Sequence, residues 1–462
     1  MGNLWYRSIT YIGTFVLTNL LKLILRHMDR RKFLKTSILG VGATMMAGAP
    51  ELMAKDKVER KPVRLEANGW IKAPATEVPV VAEADIVVLG GGPAGVAAAV
   101  SAARTGVKVI LLERYTFLGG LWTGGLVLPM LSTYGLSPDQ EWTKVIWGFS
   151  NEIYMRLKKM KMVVNAKAPC VDPEACKYVL EQYCEESGVQ IIYHSWASDA
   201  VMSGDRIDAI FLETKSGRIA VRGKYFVDAS GDGDLIAWSG EDHYELKYHI
   251  GAMYRIGGVP DDMKKAGAKT PISGVRSRHI HGFDDQDGLD VLNLSRIQME
   301  LRKDMWKRTQ ELRSREGGEG IYLLETPPQI GVRVTRVLNP VKPVTLEESM
   351  HYTSYKDSIG MSGGSAPIMY QGRKVMTKER PYWQIPYSSI TPKTCPNLLV
   401  GGRCFGYDRE LSYDAREIGT CLVTGQAAGT ASALAYLART SVQDVDIEKL
   451  RKTLLDNKVK LD

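Results

Sequence analysis

Apolar and polar positions along the chain change period several times. Asp85–Leu89 is a short, continuous apolar run, and Val107–Leu112 is a second; both predict buried strands. Between them, small apolar residues from Pro93 to about Arg104 recur at helical spacing. Residues 188–228 instead alternate apolar and polar, in "GVQIIYHSW", "RIDAIFLET" and "GRIAVRGKYFVD", with "KSG" (215–217) as a hairpin turn. Helical period returns over Val291–Arg313. Leu398–Val400 is another apolar strand, and a helix rich in Ala and Gly opens at Gly419–Thr420 and runs to about Leu437. Ile447, Leu450, Leu454 and Leu455 mark an amphipathic closing helix. Residues 241 to about 385 are less regular and loop-rich, "GMSGGSAP" (360–367) included. Strand–helix–strand alternation around an alternating segment predicts an α/β fold: a parallel sheet with a small antiparallel sheet attached.

The first strand, helix and second strand enclose Gly90, Gly92 and Gly95 in a G-x-G-x-x-G turn. Gly90 permits the tight turn, Gly92 lets backbone approach a pyrophosphate, and Gly95 lets the helix pack on the strand. Pro93 and Ala94 open the helix, whose N-terminal amides face the phosphates. Glu113 ends the second strand, eighteen residues past Gly95, where a carboxylate accepts from ribose hydroxyls and disfavours a 2′-phosphate. The fingerprint alone suits NAD or FAD. The following loop, Arg114 and then "LGGLWTGGL" (118–126) with Gly119, Gly120 and Thr123, favours FAD, because it can run backbone along the pyrophosphate and flavin edge.

Upstream, "MDRRKFLKTSILGVGATMMAGAPELMA" (28–54) places Arg30 and Arg31 before a short, Gly-rich apolar run and small residues ending at Ala54. This three-part pattern resembles a twin-arginine export signal. It implies passage through the twin-arginine machinery, cleavage near Ala54 and a periplasmic or other extracytoplasmic destination. The apolar run is too short for a stable membrane span. Translation is expected to start at Met28, with residues 1–27 a doubtful upstream extension. Composition adds little. Of the net charge of +8, residues 1–54 supply five through seven Lys/Arg against two acids, and the excess left over carries no nucleic-acid footprint. The six cysteines (170, 176, 184, 395, 404 and 421) lack C-x-x-C or iron–sulfur spacing, so no metal site is expected.

Five stretches resemble the FAD-dependent oxidoreductase family, and more distantly the fumarate reductase and succinate dehydrogenase flavoproteins. They are the glycine turn with its loop, "DPEACK" (172–177), "KYFVDASGDGDL" (224–235), "IGVRVTR" (330–336), and the pair "WQIPYSSITPKTCPNLLVGGRC" and "REIGTCLVTGQAAGTASALA" after residue 382. The resemblance implies a Rossmann-like FAD-binding domain in two parts, 83–240 and 386–440, an inserted α+β cap or substrate domain over 241–385, and a closing helix over 441–462. It adds Asp228, Gly231, Gly402, Arg403, Gly419 and Thr420 as cofactor-binding residues. The helix opening at Gly419 would set its positive end at the flavin pyrimidine.

For catalysis it points to Arg333, Arg336 and Arg416, which could bind a carboxylate bidentately or stabilise an oxyanion. Related sequences often carry Thr-His after "GRC", where this chain has Tyr407, Asp408, Arg409 and Glu410, so the substrate is not carried over. His279, His281 and His351 read as solvated loop residues, and Tyr387 as a packing residue that could donate a proton. The expected activity is hydride transfer between flavin N5 and a small organic molecule, with an unidentified electron acceptor. A non-catalytic flavin-binding protein, or an electron-transfer subunit resembling heterodisulfide reductase flavoproteins, stays open as the alternative.

Overall fold

The computed structural model describes residues 75–462; the expected export signal (28–54) and the upstream residues 1–27 lie outside them. Six strands come first in the main sheet: β1 (Val80–Leu89), β2 (Val109–Leu112), β3 (Gln190–Ile192), β4 (Trp196–Ser203), β5 (Arg206–Thr214) and β6 (Gly217–Asp228). Their order is β3-β2-β1-β6-β5-β4, and the strand Leu398–Val400 also pairs with β6. Neighbours from β3 to β6 run parallel, as does Leu398–Val400 against β6, whereas β4, β5 and β6 form an antiparallel meander. β6 is long enough to belong to both halves. Gly217–Arg222 pair with β5, while Tyr225–Asp228 lie in register with Ile86–Leu89 of β1.

The helices behave as their sequences predict. α1 (Pro93–Arg104) starts on Pro93 after an extended Gly92 and is buried almost throughout. α2 (Phe149–Lys159) and α3 (Pro173–Glu186) follow, the latter capped by Asp172, whose carboxylate accepts from the Ala175 amide at 3.0 Å. α4 (Val291–Arg313) has the expected bounds; α5 (Ile418–Ala438) and α6 (Ile447–Asp456) close the chain. α5 is apolar all round and buried, as a central helix must be. It lies against α1 at backbone distance: a Cβ on Gly425 would stand 2.1 Å from Ala94 O, and one on Gly429 2.0 Å from Ala98 O.

The irregular middle holds more sheet than its sequence suggests. β7 (Tyr248–Gly257), β8 (Ala268–Lys269), β9 (Arg276–Gln286), β10 (Tyr322–Glu325) and β11 (Gly331–Val332) form a five-stranded antiparallel sheet centred on β7. β7 is buried on both faces over most of its length, so it shows no alternation. β9 is dense in charged residues, which masks its period. α4 covers one face of this sheet through Ile297, Leu301, Met305 and Leu312. "GMSGGSAP" likewise begins inside a buried strand, Ser358–Ser362, paired with Trp383–Pro386. Small side chains there read as loop, although Gly360 is needed because a Cβ would meet Val423 at 2.3 Å. The expected α/β class, parallel sheet plus antiparallel strands, is what the chain adopts.

Candidate functional site

One cavity of about 320 Å³ opens at the carboxyl ends of β1, β2 and β6 and of the strand Leu398–Val400. Ligands of open α/β sheets bind in that crevice. Its first wall is Gly90, Gly92, Pro93 and Ala94. Gly92 caps α1 without a side-chain bond, so the amides of the first turn stay available to a ligand. A Cβ on Gly92 would meet nothing within 4 Å, because that direction is open cavity.

Glu113 and Arg114 line the cavity at the end of β2. Each Glu113 oxygen takes a backbone amide, Gly91 at 2.7 Å and Tyr115 at 2.8 Å, which ties the glycine turn to its neighbouring strand. Burial pushes the Glu113 pKa up, against the pull of those amides. The Arg114 guanidinium lies over the rings of Tyr115 and Trp196, 5.1 and 4.9 Å from their centroids. Gly120, Gly231, Gly402 and Arg403 form the middle. Arg403 donates to Gly231 O at 2.6 Å and to Asp232 at 2.8 Å, pinning the turn after β6.

Six of the expected cofactor residues shape this wall from behind. A Cβ on Gly95 would stand 1.7 Å from Gly90 O, so its role is packing. The Gly119 amide donates to Gly91 O at 2.7 Å, and the Thr123 hydroxyl to Leu118 O at 2.6 Å. Asp228, fully buried, accepts from Ser230 N, Ser230 Oγ and Ile236 N, which sets the turn leaving β6. Gly419 packs beneath Leu131 O and Ile146, and Thr420 bonds Asp414 O and Ser362 Oγ.

The far end joins the second sheet to the start of α5. Gly251, Ala252, Met253, His279, Gln329, Gly331, Arg333, Arg416, Glu417 and Cys421 line it. Arg333 donates to His249 O at 3.1 Å and approaches His279 Nε2 at 3.3 Å. A guanidinium only donates, so Nε2 accepts and a neutral His279 carries its proton on Nδ1. Burial, then Arg416, lowers the Arg333 pKa to about 10, which leaves two cations facing one space at neutral pH. Glu417 is buried with its pKa raised, and lies 3.9 Å from Arg416. Two buried polar atoms here have no partner among the described residues, Gln329 Oε1 and Arg416 Nε. A ligand or water entering the cavity can supply the missing partners. With the bare glycine wall at the other end, these two atoms fit an elongated cofactor that is phosphorylated in its middle and has a polar ring.

Arg336 corrects the sequence reading. Its guanidinium is held by Asp232 O at 3.1 Å and Asp234 at 3.3 Å, away from the cavity, because the short strand Arg336–Leu338 pairs with His243–Glu245. His279 and His281 lie on β9 rather than in loops, and His279 reaches the cavity. Tyr387 is buried and donates to Val442 O at 2.6 Å, a packing role. His249, His281 and Asp284 bring ligand atoms within 4.8 Å of one another, but Arg333 beside them opposes a divalent ion. All six cysteines are buried free thiols. Ser195–Ala197, Gly251–Met253 and Gln329 escaped the sequence reading. They carry no motif; Trp196–Ala197 and Gly251–Met253 reach the cavity on paired strands, and Gln329 through a loop whose amide donates to Gly124 O.

Asp234 offers a pH test. Burial, with Asp232 and Asp228 nearby, raises its pKa from 3.8 to about 7, so the folded chain holds this proton more tightly than the unfolded one. Stability of the flavin-free protein is therefore expected to fall as pH rises from about 4 to about 7, then level off. Asp234→Asn should flatten that slope in denaturant titrations. An unchanged slope would assign the titration elsewhere.

A model of the FAD dependent oxidoreductase family matches residues 85–256 and 247–454. Thiamine thiazole synthase of Methanococcus aeolicus is 26% identical over 164 residues, 34% of this chain and 57% of that protein. Digeranylgeranylglycerophospholipid reductase 1 of Methanopyrus kandleri is 26% identical over 151 residues, 32% of this chain and 40% of that protein. The chain thus spans about half the length of the curated relatives it matches. Among solved structures, a geranylgeranyl bacteriochlorophyll reductase-like protein from Thermoplasma acidophilum matches 82% of this chain and 84% of its own, at 15% identity and a TM-score of 0.43.

Proposed function

The chain belongs to the FAD dependent oxidoreductase family, and on that premise we propose that it is an exported enzyme acting on a small, negatively charged organic molecule. It is an FAD-dependent oxidoreductase. When bound, FAD supplies a ring that accepts or releases a hydride at N5. In this reading the first turn of α1, Gly120 and Gly402 hold the diphosphate region, and Glu113 with Arg114 and Trp196 holds the nucleoside end. Residues 241–385 serve as the cap that brings substrate to the far end. Arg333 and Arg416 bind and orient the substrate anion, and neutral His279, held by Arg333, is placed to move a proton.

The observation that carries this reading is the pair of cations at one end of the cavity, with Arg333 depressed to about 10 by burial and by Arg416. Glu417, 3.9 Å from Arg416, answers one of these charges, whereas Arg333 has no carboxylate within 4.0 Å among the described residues, and a substrate anion would answer it. A panel of small carboxylates should perturb the flavin absorbance of the purified protein, while their amides should not. Arg333→Met should weaken the best carboxylate by about 30-fold or more, as loss of a charge-assisted hydrogen bond costs roughly 2–3 kcal/mol. Equal responses to carboxylates and amides would refute the anionic substrate.

Export rests on the Arg30–Arg31 pattern and its small-residue run to Ala54. A folded flavoprotein suits the twin-arginine route, since its cofactor is inserted before transport. The proposed partners are that machinery, the substrate and an electron acceptor outside the cytoplasm. Arg30→Lys with Arg31→Lys should leave cofactor-loaded protein in the cytoplasm on fractionation, where the parent chain appears beyond the membrane.

A further inference from the structure

α4 covers the antiparallel sheet with one face and turns the other to solvent. On the solvent side Leu292 is 80% exposed, Met299 57% and Trp306 58%. Seven-residue spacing places these three in one stripe, two turns apart. Arg296, Arg302, Lys303, Lys307 and Arg313 are exposed beside them. At 3.6 residues per turn all eight fall within roughly 140° of the helix circumference. That arc holds no acid. Glu300, Asp304 and Glu311 sit together on one flank, where Glu300 pairs with Arg296 and Asp304 with Arg308. Arg302, Lys303, Lys307 and Arg313 have no carboxylate within 4.0 Å among the described residues.

A globular surface helix needs neither an exposed Trp–Met–Leu stripe nor segregation of its charges. Both are what an interfacial helix uses: apolar groups enter the boundary of the acyl chains, and flanking cations meet lipid phosphates. We propose that the outer face of α4 docks this protein on an anionic lipid bilayer. The occupant is a bilayer rather than a protein because the arc pairs separated apolar anchors with positive charge that is mostly uncompensated. Each cation at such a surface raises partitioning roughly fivefold. No described helix is long and apolar enough to cross a membrane, so attachment through α4 is peripheral. Neither the cavity nor the flavin takes part, so the proposal stands apart from the substrate reading.

The test uses the full chain and a local reporter. All six native cysteines are buried, so Ser295→Cys, exposed on the same arc, can carry an environment-sensitive dye. Dye emission should shift to the blue on adding vesicles of phosphatidylglycerol and phosphatidylcholine in equal parts. It should not shift with phosphatidylcholine alone. Adding Met299→Ser and Trp306→Ser should raise the lipid concentration for half-maximal shift at least tenfold, with flavin absorbance unchanged. No shift with the anionic vesicles, or a shift unaltered by the two serines, overturns the proposal. So does a shift without lipid that grows with protein concentration, which would assign the face to a second copy of the chain.

Discussion

Gly92→Val is expected to give a folded protein that no longer holds FAD. The position has extended backbone, φ −69° and ψ −177°, which valine adopts without strain, and its Cβ would point into open space. Stability without flavin should therefore stay within about 1 kcal/mol of the parent, as for other substitutions that touch nothing. Binding should suffer because the isopropyl group would fill the volume through which a diphosphate reaches the amides of the first α1 turn. A loss of about 100-fold or more in FAD affinity, roughly 3 kcal/mol, is expected. Flavin absorbance after purification and fluorescence titration of apoprotein with FAD would measure it. Undiminished binding would move the diphosphate away from this helix mouth, and with it the assignment of the cavity.

Gly425→Val should do the reverse and break the fold first. The added Cβ would meet three backbone atoms of Ala94, at 2.1, 2.6 and 2.7 Å, and backbone cannot swing aside as a side chain can. α5 must then separate from α1, opening the helix pair at the centre of the main core. Overpacking typically costs about 1–3 kcal/mol, and a clash with immovable backbone stands at the upper end, about 3 kcal/mol. Denaturant titration of apoprotein should show about that loss, and FAD binding should fall as well, because Ala94 lines the cavity. Stability near that of the parent would mean that the two helices lie farther apart than the structure places them. The two glycines separate binding from packing: one is bare because a ligand needs the space, the other because a helix occupies it.

The pattern of the chain was sufficient for the fold of the β1–α1–β2 unit. Asp85–Arg104 is a local unit in which apolar run, glycine turn and helix start are adjacent in sequence, and local sterics decide its shape. The same holds for α4, whose bounds follow from its period, and for the meander ending in β6. Glu113 was legible because its distance from Gly95 is set by one helix and one strand. The acceptor set of Asp228 was not, since its role depends on the turn that follows.

Tertiary structure alone decided the far end. Arg333 and Arg336 are three residues apart and alike in sequence. One faces the cavity and the other an aspartate pair, because β11 and the strand Arg336–Leu338 belong to different sheets. Trp196–Ala197 and Gly251–Met253 reach the site through pairing partners distant in the chain, and β9 hid its strand period under charged side chains. A sequence fixes what its neighbours along the chain can enforce: turns, caps, helix faces. Which side chains converge on one space depends on how sheets and helices stack. That outcome is settled by burial summed over the whole core, and no single segment records it.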